Sequence, residues 1–275
     1  VALGDGIPER VAVDSAAALA GALAGAAPGD RVAVEITREG RPETLALVAA
    51  AAPREVPATL DGWRPAGAGP LRGPAGAEIV RLDSAEEPRP PLAVVPGIGR
   101  KEPVGVIVYF GPPHGAATEA EAAAWRDAAA AWDVAVILPG SADPRRWSPD
   151  DLPSVRRGLV ALDAKRPLDP TRIAVAGRGP GGTFAWFVAD RLGSAVRGVA
   201  LIDAALPRSA EVEPAEPGRS RWVLLGKGAG DVARRITADR RRLEAAGLPV
   251  GTVEAEGDTP PVDLLCRWTV LLGGL

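Results

Sequence analysis

TRIAVAGRGPGGTFAWFVADRL, residues 171–192, is the stretch that decides the fold of this chain. Residues 173–176 form a short apolar run of the kind that is buried on both faces of a parallel sheet. A helical pattern resumes at Thr183, and the segment GRGPGG lies between the run and the helix. The stretch therefore predicts a buried strand, a tight turn and a helix in direct succession.

This order resembles the nucleophile elbow G-x-S-x-G of the α/β-hydrolases, in which a strained turn presents a serine at the carboxyl edge of the sheet. In this resemblance Gly177 and Gly181 take the two glycine positions, and Gly179 stands where the serine belongs. Pro180 stands at the residue whose N–H contributes to the oxyanion hole, and proline has no N–H. The resemblance thus implies an elbow without its nucleophile and without one oxyanion donor.

Two other interpretations of GRGPGG remain open. Gly177, Gly179 and Gly182 fit the dinucleotide fingerprint G-x-G-x-x-G. Asp203 lies at a distance suitable for the acid that binds the ribose, although at least three strand-like runs precede the loop and the fingerprint belongs in the first unit of its fold. The segment is also compatible with an anion-binding or purely structural turn.

Apolar runs typical of strands lie on both sides of this elbow, and helical patterns separate the later runs. The runs are residues 79–82, 92–95, 104–110, 134–138, 173–176, 196–202, 222–225 and 250–253. Early strands without helices, followed by repeated strand–helix units, predict an α/β fold: a mostly parallel sheet with helices on both faces and an antiparallel start. This is the order of an α/β-hydrolase-like domain, and the resemblance covers residues 77–275.

Triad chemistry in this fold needs a nucleophile, an acid and a histidine in that chain order. By resemblance Asp231, in LLGKGAGDV, stands at the acid position, although it is equally suited to cap a helix. The final loop, AEGDTPP, offers Asp258 and Thr259 where the histidine belongs, and neither side chain is a suitable base near neutral pH. The single histidine, His114, lies in YFGPPHG, a loop that contributes to the oxyanion hole in the family, and Gly111 takes the usual histidine position there.

Because these parts are missing, we predict a non-catalytic accessory or binding domain without catalytic residues. The candidate pocket residues lie in the elbow and in the loop after the third strand: Gly111, His114, Gly177, Gly179 and Gly181. The alternative is an active esterase or peptidase with an atypical nucleophile such as Ser141 or Ser148. Neither serine follows a strand in an elbow, so the spacing favours the first interpretation.

The first fifty residues carry a separate pattern. A helix is predicted from Ser15, and an alternating hairpin follows that turns at Gly40. The segment VDSAAALAGALAGAAPGDRVAVEITREGRPETLAL resembles the C-terminal half of a bacterial PDZ domain of the HtrA protease type. The peptide-binding half of such a domain would precede Val1, so we expect this segment to contribute packing rather than recognition.

Residues 51–76 are rich in proline, glycine and alanine, as expected of a linker. The predicted order is therefore a partial PDZ domain in residues 1–50, a linker in 51–76 and the hydrolase-like domain in 77–275. The loops SADPRRWSPDD and GPPHGAATEAEA are similar to those of hydrolase-like domains attached to planctomycete HtrA-type proteases. This resemblance implies a trypsin-like protease upstream, peptide or protein partners, and a location in the cell envelope or periplasm.

Composition excludes several classes of function. A formal net charge of -3 gives no basic surface for nucleic acid or an anionic membrane. One cysteine, Cys266, and one histidine cannot build a zinc site, and no acidic cluster has calcium-loop spacing, so we expect neither metal nor cofactor. No apolar run reaches the ~18 residues of a membrane span. The chain begins at Val1 without a leader pattern, which suggests a fragment or a processed product.

Overall fold

The computed structural model describes residues 29–38, 41–48, 76–82, 89–215, 221–254 and 259–273. These residues belong to two compact units, a hairpin and a larger α/β body, which are treated separately. The helix predicted from Ser15, most of the predicted linker and Asp258 lie outside the described residues. The proposed domain boundaries therefore stay predictions.

The smaller unit contains an antiparallel hairpin of β1 (Arg31–Arg38) and β2 (Arg41–Val48). Val32 pairs with Leu47 and Val34 pairs with Leu45, so the period-two alternation places these four side chains on one face. The hairpin lies where this alternation predicted it. A hairpin occurs in many folds, and by itself it does not identify a PDZ domain.

The larger unit is built on one eight-stranded sheet in the order β10-β9-β8-β7-β5-β6-β4-β3. Its strands are β3 (Ala77–Arg81), β4 (Leu92–Pro96), β5 (Val104–Phe110), β6 (Val134–Leu138), β7 (Leu168–Arg178), β8 (Gly198–Ile202), β9 (Trp222–Gly226) and β10 (Val250–Val253). β4 runs antiparallel to both β3 and β6, and the other pairs are parallel. The predicted mostly parallel sheet with an antiparallel start is confirmed.

Helices cover both faces of this sheet. They are α1 (Glu119–Ala123), α2 (Arg126–Trp132), α3 (Leu152–Asp163), α4 (Pro180–Leu192), α5 (Gly230–Ala245) and α6 (Val262–Leu272). α3, α4 and α5 contribute to one buried apolar cluster, and α1, α2 and α6 contribute to the other. Successive side chains of a strand point to opposite faces, so β5 sends Val108 and Phe110 to the first cluster and Ile107 and Tyr109 to the second.

A buried arginine forms hydrogen bonds at the edge of the sheet where the central parallel strands begin. The Arg166 guanidinium donates to both carboxylate oxygens of Asp133, at 2.7 and 2.8 Å, and also to the carbonyl oxygen of Pro96. Asp133 precedes β6, and Pro96 ends the antiparallel strand β4, so both lie at the edge where the parallel strands begin. One side chain thereby ties three strand ends together at the edge opposite to the carboxyl ends of the strands.

None of the helices in the described part of the chain has the length and apolar character that a membrane span requires.

We expect Arg166→Ala to lower the free energy of unfolding by roughly 3 kcal/mol, because Asp133 and the carbonyl group of Pro96 would lose a buried partner. Arg146→Ala is the matched control, since Arg146 pairs with Asp143 at 3.2 Å and is 77% exposed. An exposed pair contributes about 1 kcal/mol at most. Urea unfolding of both variants measures the difference, and equal losses would contradict the role given to Arg166.

Candidate active site

The GRGPGG segment folds as a strand–turn–helix elbow. β7 ends at Arg178, Gly179 adopts φ 53° and ψ -122°, and α4 begins at Pro180. A positive φ of this kind strains most residues but not glycine. The structure therefore has the backbone of the elbow, with a glycine at its apex.

The glycines around the apex are required by close packing. A Cβ at Gly181 would overlap the carbonyl oxygen of Phe110, and a Cβ at Gly177 would overlap the carbonyl group of Gly181. At Gly182 it would lie 2.5 Å from the Cβ of Ala204. A Cβ at Gly179, by contrast, would meet no atom of the described residues within 4 Å. The elbow is thus tightly packed everywhere except at its apex, which faces open space.

A cavity of about 530 Å³ lies beside Gly179 at the carboxyl ends of β5, β6 and β7. Its wall is largely apolar, with the aromatic side chains of Tyr109, Trp125 and Trp147 and with four prolines. The prolines are Pro112, Pro139, Pro180 and Pro260. Concave, mostly apolar sites with a few convergent polar groups are the usual form of a small-molecule site, so this cavity is the candidate active site.

The loop after β5 places the single histidine of the chain on the wall of this cavity. His114 Nε2 lies 2.8 Å from Glu121 Oε1. The other carboxylate oxygen of Glu121 accepts hydrogen bonds from the backbone N–H and the hydroxyl of Thr118, both at 2.8 Å, in a capping box at the start of α1. Because an ionised carboxylate can only accept, Nε2 is assigned as the donor, and in the neutral imidazole the lone pair then lies on Nδ1. The result is an imidazole oriented by a fixed carboxylate.

A second pair of charged side chains lies on the same wall. Arg178 Nη2 donates to Asp203 Oδ2, and Arg178 Nη1 donates to the carbonyl oxygen of Thr259 at 3.1 Å. Asp203 directly follows β8 and adopts a left-handed φ of 49°. From the sequence, Asp203 was a candidate only for a dinucleotide site, yet its place directly after a buried apolar run was a signal for this edge of the sheet.

Tyr109, near the end of β5, contributes a neutral hydroxyl to the cavity. Its ring is buried and packs against Trp125 with 4.9 Å between the ring centroids. Burial raises the pKa of Tyr109 to about 12, the Arg178 guanidinium opposes this increase, and the carboxylates of Glu121 and Asp203 add to it. The hydroxyl therefore stays protonated, and able to donate, over the whole neutral range.

The structure separates the predicted pocket residues into two groups. Gly111, His114 and Gly179 line the cavity, whereas Gly177 and Gly181 pack inside the elbow. Asp231, the acid expected by resemblance, is 82% exposed in the first turn of α5, where it pairs with Arg234. Glu121, on α1, is the carboxylate that contacts the histidine instead.

Ser141 and Ser148, the two serines considered as atypical nucleophiles, have structural contacts and do not line the cavity. Ser141 is buried, and its Oγ accepts a hydrogen bond from the backbone N–H of Gly115 at 3.0 Å. The backbone N–H of Ser148 donates to Asp151 at 2.8 Å at the start of a short 3-10 turn. Ser141 therefore anchors the loop that carries His114.

Within the described ranges, no group of three or more histidine, cysteine, aspartate or glutamate side chains is arranged to hold a metal ion.

No protein-family model and no curated protein matches the chain. Solved structures do match. An S-formylglutathione hydrolase from Staphylococcus aureus has a TM-score of 0.53 and 11% sequence identity, covering 74% of this chain and 98% of that chain. An arylesterase has a TM-score of 0.50 and 14% identity, covering 72% and 84% respectively. An esterase from Pyrobaculum calidifontis has a TM-score of 0.50 and 16% identity, again covering 72% and 84%.

The larger unit has the α/β-hydrolase fold. The mostly parallel sheet and its covering helices match those of the esterases, as the sequence predicted. At such low identity the likeness shows the fold and assigns no substrate.

The prediction of a non-catalytic accessory domain is wrong, because the solved structures that share the fold are esterases and a hydrolase. The physical reason for the wrong prediction is the position of the general base. The sequence prediction excluded general-base chemistry because the final loop has no histidine. The structure brings His114 and Glu121 to the same cavity from the other side, through the loop after β5 and the start of α1.

We expect Gly181→Ala to lower the free energy of unfolding by roughly 3 kcal/mol, because its Cβ would overlap the backbone of Phe110. Gly179→Ala is the matched control, and we expect it to cost about 1 kcal/mol through its positive φ alone. Urea unfolding of the two alanine variants measures both values. A larger loss for Gly179→Ala than for Gly181→Ala would contradict the packing described for the elbow.

Tyr109 is the single tyrosine of the chain, so tyrosinate absorbance reports this residue alone. We expect its titration midpoint near pH 12 in the native protein and near 10 in urea. The stability that the neutral phenol contributes is then fully present below pH 10 and is lost as the pH rises from 10 through 12. Stopped-flow pH jumps measure the tyrosinate absorbance of the native protein before the protein unfolds at alkaline pH. Coincident native and denatured midpoints would contradict the buried environment.

Proposed function

We propose that this chain is a hydrolase of small, neutral, largely apolar esters, in which His114 activates a water molecule. The observation that carries this proposal is the 2.8 Å contact between His114 Nε2 and Glu121 Oε1 on the wall of the cavity that also contains the elbow. An imidazole held by a carboxylate is the arrangement that general-base catalysis uses most often. The esterase names of the structural neighbours support the same reaction class.

The reaction follows from the orientation of the imidazole. Glu121 accepts a hydrogen bond from Nε2 of His114, which leaves Nδ1 as the basic nitrogen. Nδ1 takes a proton from water as the water oxygen attacks the ester carbonyl carbon. The carboxylate stabilises the imidazolium that forms. The bond from carbon to the leaving oxygen then breaks, and Nδ1 returns the proton to that oxygen. The products are a carboxylic acid and an alcohol.

The glycine at the apex of the elbow supports water, rather than a side chain, as the nucleophile. Gly179 stands at the apex and has no side chain, and a Cβ there would meet no described atom within 4 Å. The apex therefore leaves room for the attacking water at the position from which a serine acts in the esterase elbow. No acyl-enzyme forms in this mechanism.

The lining of the cavity supports the proposed class of ester. The charged side chains on the wall occur as two pairs, His114 with Glu121 and Arg178 with Asp203. The histidine and the arginine therefore each face a carboxylate, and the remaining lining is largely apolar. A neutral substrate loses little hydration on entering such a site, whereas an anionic one would meet two carboxylates without an available counter-charge. The cavity of about 530 Å³ is large enough for a small ester.

We expect His114→Gln to lower kcat/KM for p-nitrophenyl acetate by about 10²-fold, because the general base is removed. Glu121→Gln is expected to lower it by roughly tenfold, since the imidazole would lose its orienting charge. Glu119→Gln is the matched control, because Glu119 is exposed on the same helix and does not line the cavity. Initial rates of nitrophenolate release by the four proteins measure these effects.

Two outcomes would overturn the proposal. One is wild-type turnover that His114→Gln leaves unchanged. The other is stoichiometric labelling of the wild-type chain by a fluorophosphonate that disappears when one serine is replaced, since that would show a covalent serine mechanism. The proposed mechanism predicts no such labelling.

We also propose, from the resemblance of residues 1–50, that this region is the C-terminal half of a PDZ domain from an HtrA-like protease of the cell envelope. The β1–β2 hairpin supports this origin because the PDZ-like pattern includes a hairpin at that position. Peptide or protein partners belong to this part of the proposal. A sequence upstream of Val1 that encodes no protease or PDZ strands would contradict it.

A further inference from the structure

We propose that Tyr109 is a catalytic residue whose hydroxyl donates a hydrogen bond to the oxyanion that forms during ester hydrolysis. This inference rests on the proposed function, since it supplies the donor that the water-based reaction needs. A carbonyl oxygen that becomes negative in a largely apolar cavity requires a hydrogen-bond donor held in place before the reaction.

The elbow and the prolines of the wall supply no such donor from their backbone. Pro180 occupies the position after the apex, and the other prolines of the wall, Pro112, Pro139 and Pro260, also have no N–H. The N–H of Gly179 donates to the carbonyl oxygen of Ile202 at 2.9 Å. The usual contribution of the elbow to an oxyanion hole is therefore missing.

Three other side-chain donors on the wall already have acceptors. Trp147 Nε1 donates to the carbonyl oxygen of Gly111 at 2.9 Å. Arg178 donates to Asp203 and to the backbone of Thr259. His114 Nε2 faces Glu121. Each of these groups would have to break a contact before it could reach a substrate.

The phenol of Tyr109 is placed where an oxyanion donor is needed. Tyr109 pairs with Ala176 and the next residue, Phe110, pairs with Gly177, so the tyrosine lies beside the end of the strand that leads into the elbow. A Cβ at Gly111 would lie 3.9 Å from Cε1 of Tyr109, so the hydroxyl end of the ring approaches the loop after β5. This is the loop that contributes to the oxyanion hole in the esterase elbow fold.

Burial keeps the hydroxyl of Tyr109 as a donor because it raises the pKa of the phenol. Among the nearby charged groups, Glu121 and Asp203 add to this increase while Arg178 opposes it. All three act on the phenol electrostatically, so it lies among the charged side chains of the cavity. As water attacks, the π electrons of the carbonyl move to the oxygen, which accepts the hydrogen bond from Tyr109 without taking its proton. When the carbonyl re-forms and the leaving oxygen departs, the phenol is unchanged.

The first test is turnover of p-nitrophenyl acetate by Tyr109→Phe, which keeps the ring and removes the hydroxyl. We expect kcat to fall by about 10²-fold with KM changed by less than about threefold, because the lost contact exists mainly in the transition state. Thr269→Val is the matched control: it removes a buried hydroxyl that donates to Leu265 within α6, away from the cavity. Thermal unfolding of both variants verifies that they are folded.

The second test measures binding without turnover. Methyl benzylphosphonate is an anionic, tetrahedral mimic of the intermediate, and methyl phenylacetate is its neutral counterpart. By calorimetry we expect Tyr109→Phe to weaken binding of the phosphonate about tenfold or more and to leave binding of the ester unchanged. Because the chain has one tyrosine, the part of the ultraviolet difference spectrum of the complex that is absent in Tyr109→Phe reports the contact.

The two tests separate the possible failures. Turnover that needs His114 but survives Tyr109→Phe would overturn the role of Tyr109 and leave the proposed hydrolase in place. Turnover that is independent of His114 would overturn the proposed hydrolase, and the phosphonate titration would then decide whether Tyr109 contacts an oxyanion. Equal phosphonate binding by wild type and Tyr109→Phe overturns the inference in either case.

Discussion

The close approach of three backbone segments at the elbow is the constraint on which the site depends. Gly177 and Gly181 let the end of β7, the first turn of α4 and the end of β5 come into direct contact, and a methyl group at either position would push them apart. This packing fixes the carboxyl edge of the sheet, where the cavity lies. The buried Arg166 holds the opposite edge, so the strands between them are fixed at both ends.

The geometry of this elbow could be predicted from sequence because its cause is local. A short apolar run, a cluster of glycines and a resuming helical pattern specify strand, turn and helix without reference to distant residues. The order of the sheet could be predicted for a related reason, since repeated strand–helix units leave few topologies open. The fold class and the position of the elbow in the structure therefore agree with those predicted from the sequence.

The pairing of His114 with Glu121 was not predicted, because it depends on how a loop returns to the start of a helix. One signal was present: Thr118 and Glu121 have the spacing of a capping box, which places Glu121 in the first turn of a helix that follows the histidine loop. The contact of Arg178 with Asp203 is different, because it joins the ends of two neighbouring strands. Their register was needed before that pair could be recognised, and sequence alone does not supply it.

The open apex of the elbow has an evolutionary consequence. Its backbone conformation is maintained by the glycines around it, so the residue at position 179 is free to change without loss of the turn, provided that it tolerates a positive φ. A lineage with such an elbow can lose a nucleophile, keep the cavity for generations, and later regain a reactive side chain by a single codon change. The fold thus preserves the backbone position of a catalytic residue independently of the side chain that occupies it.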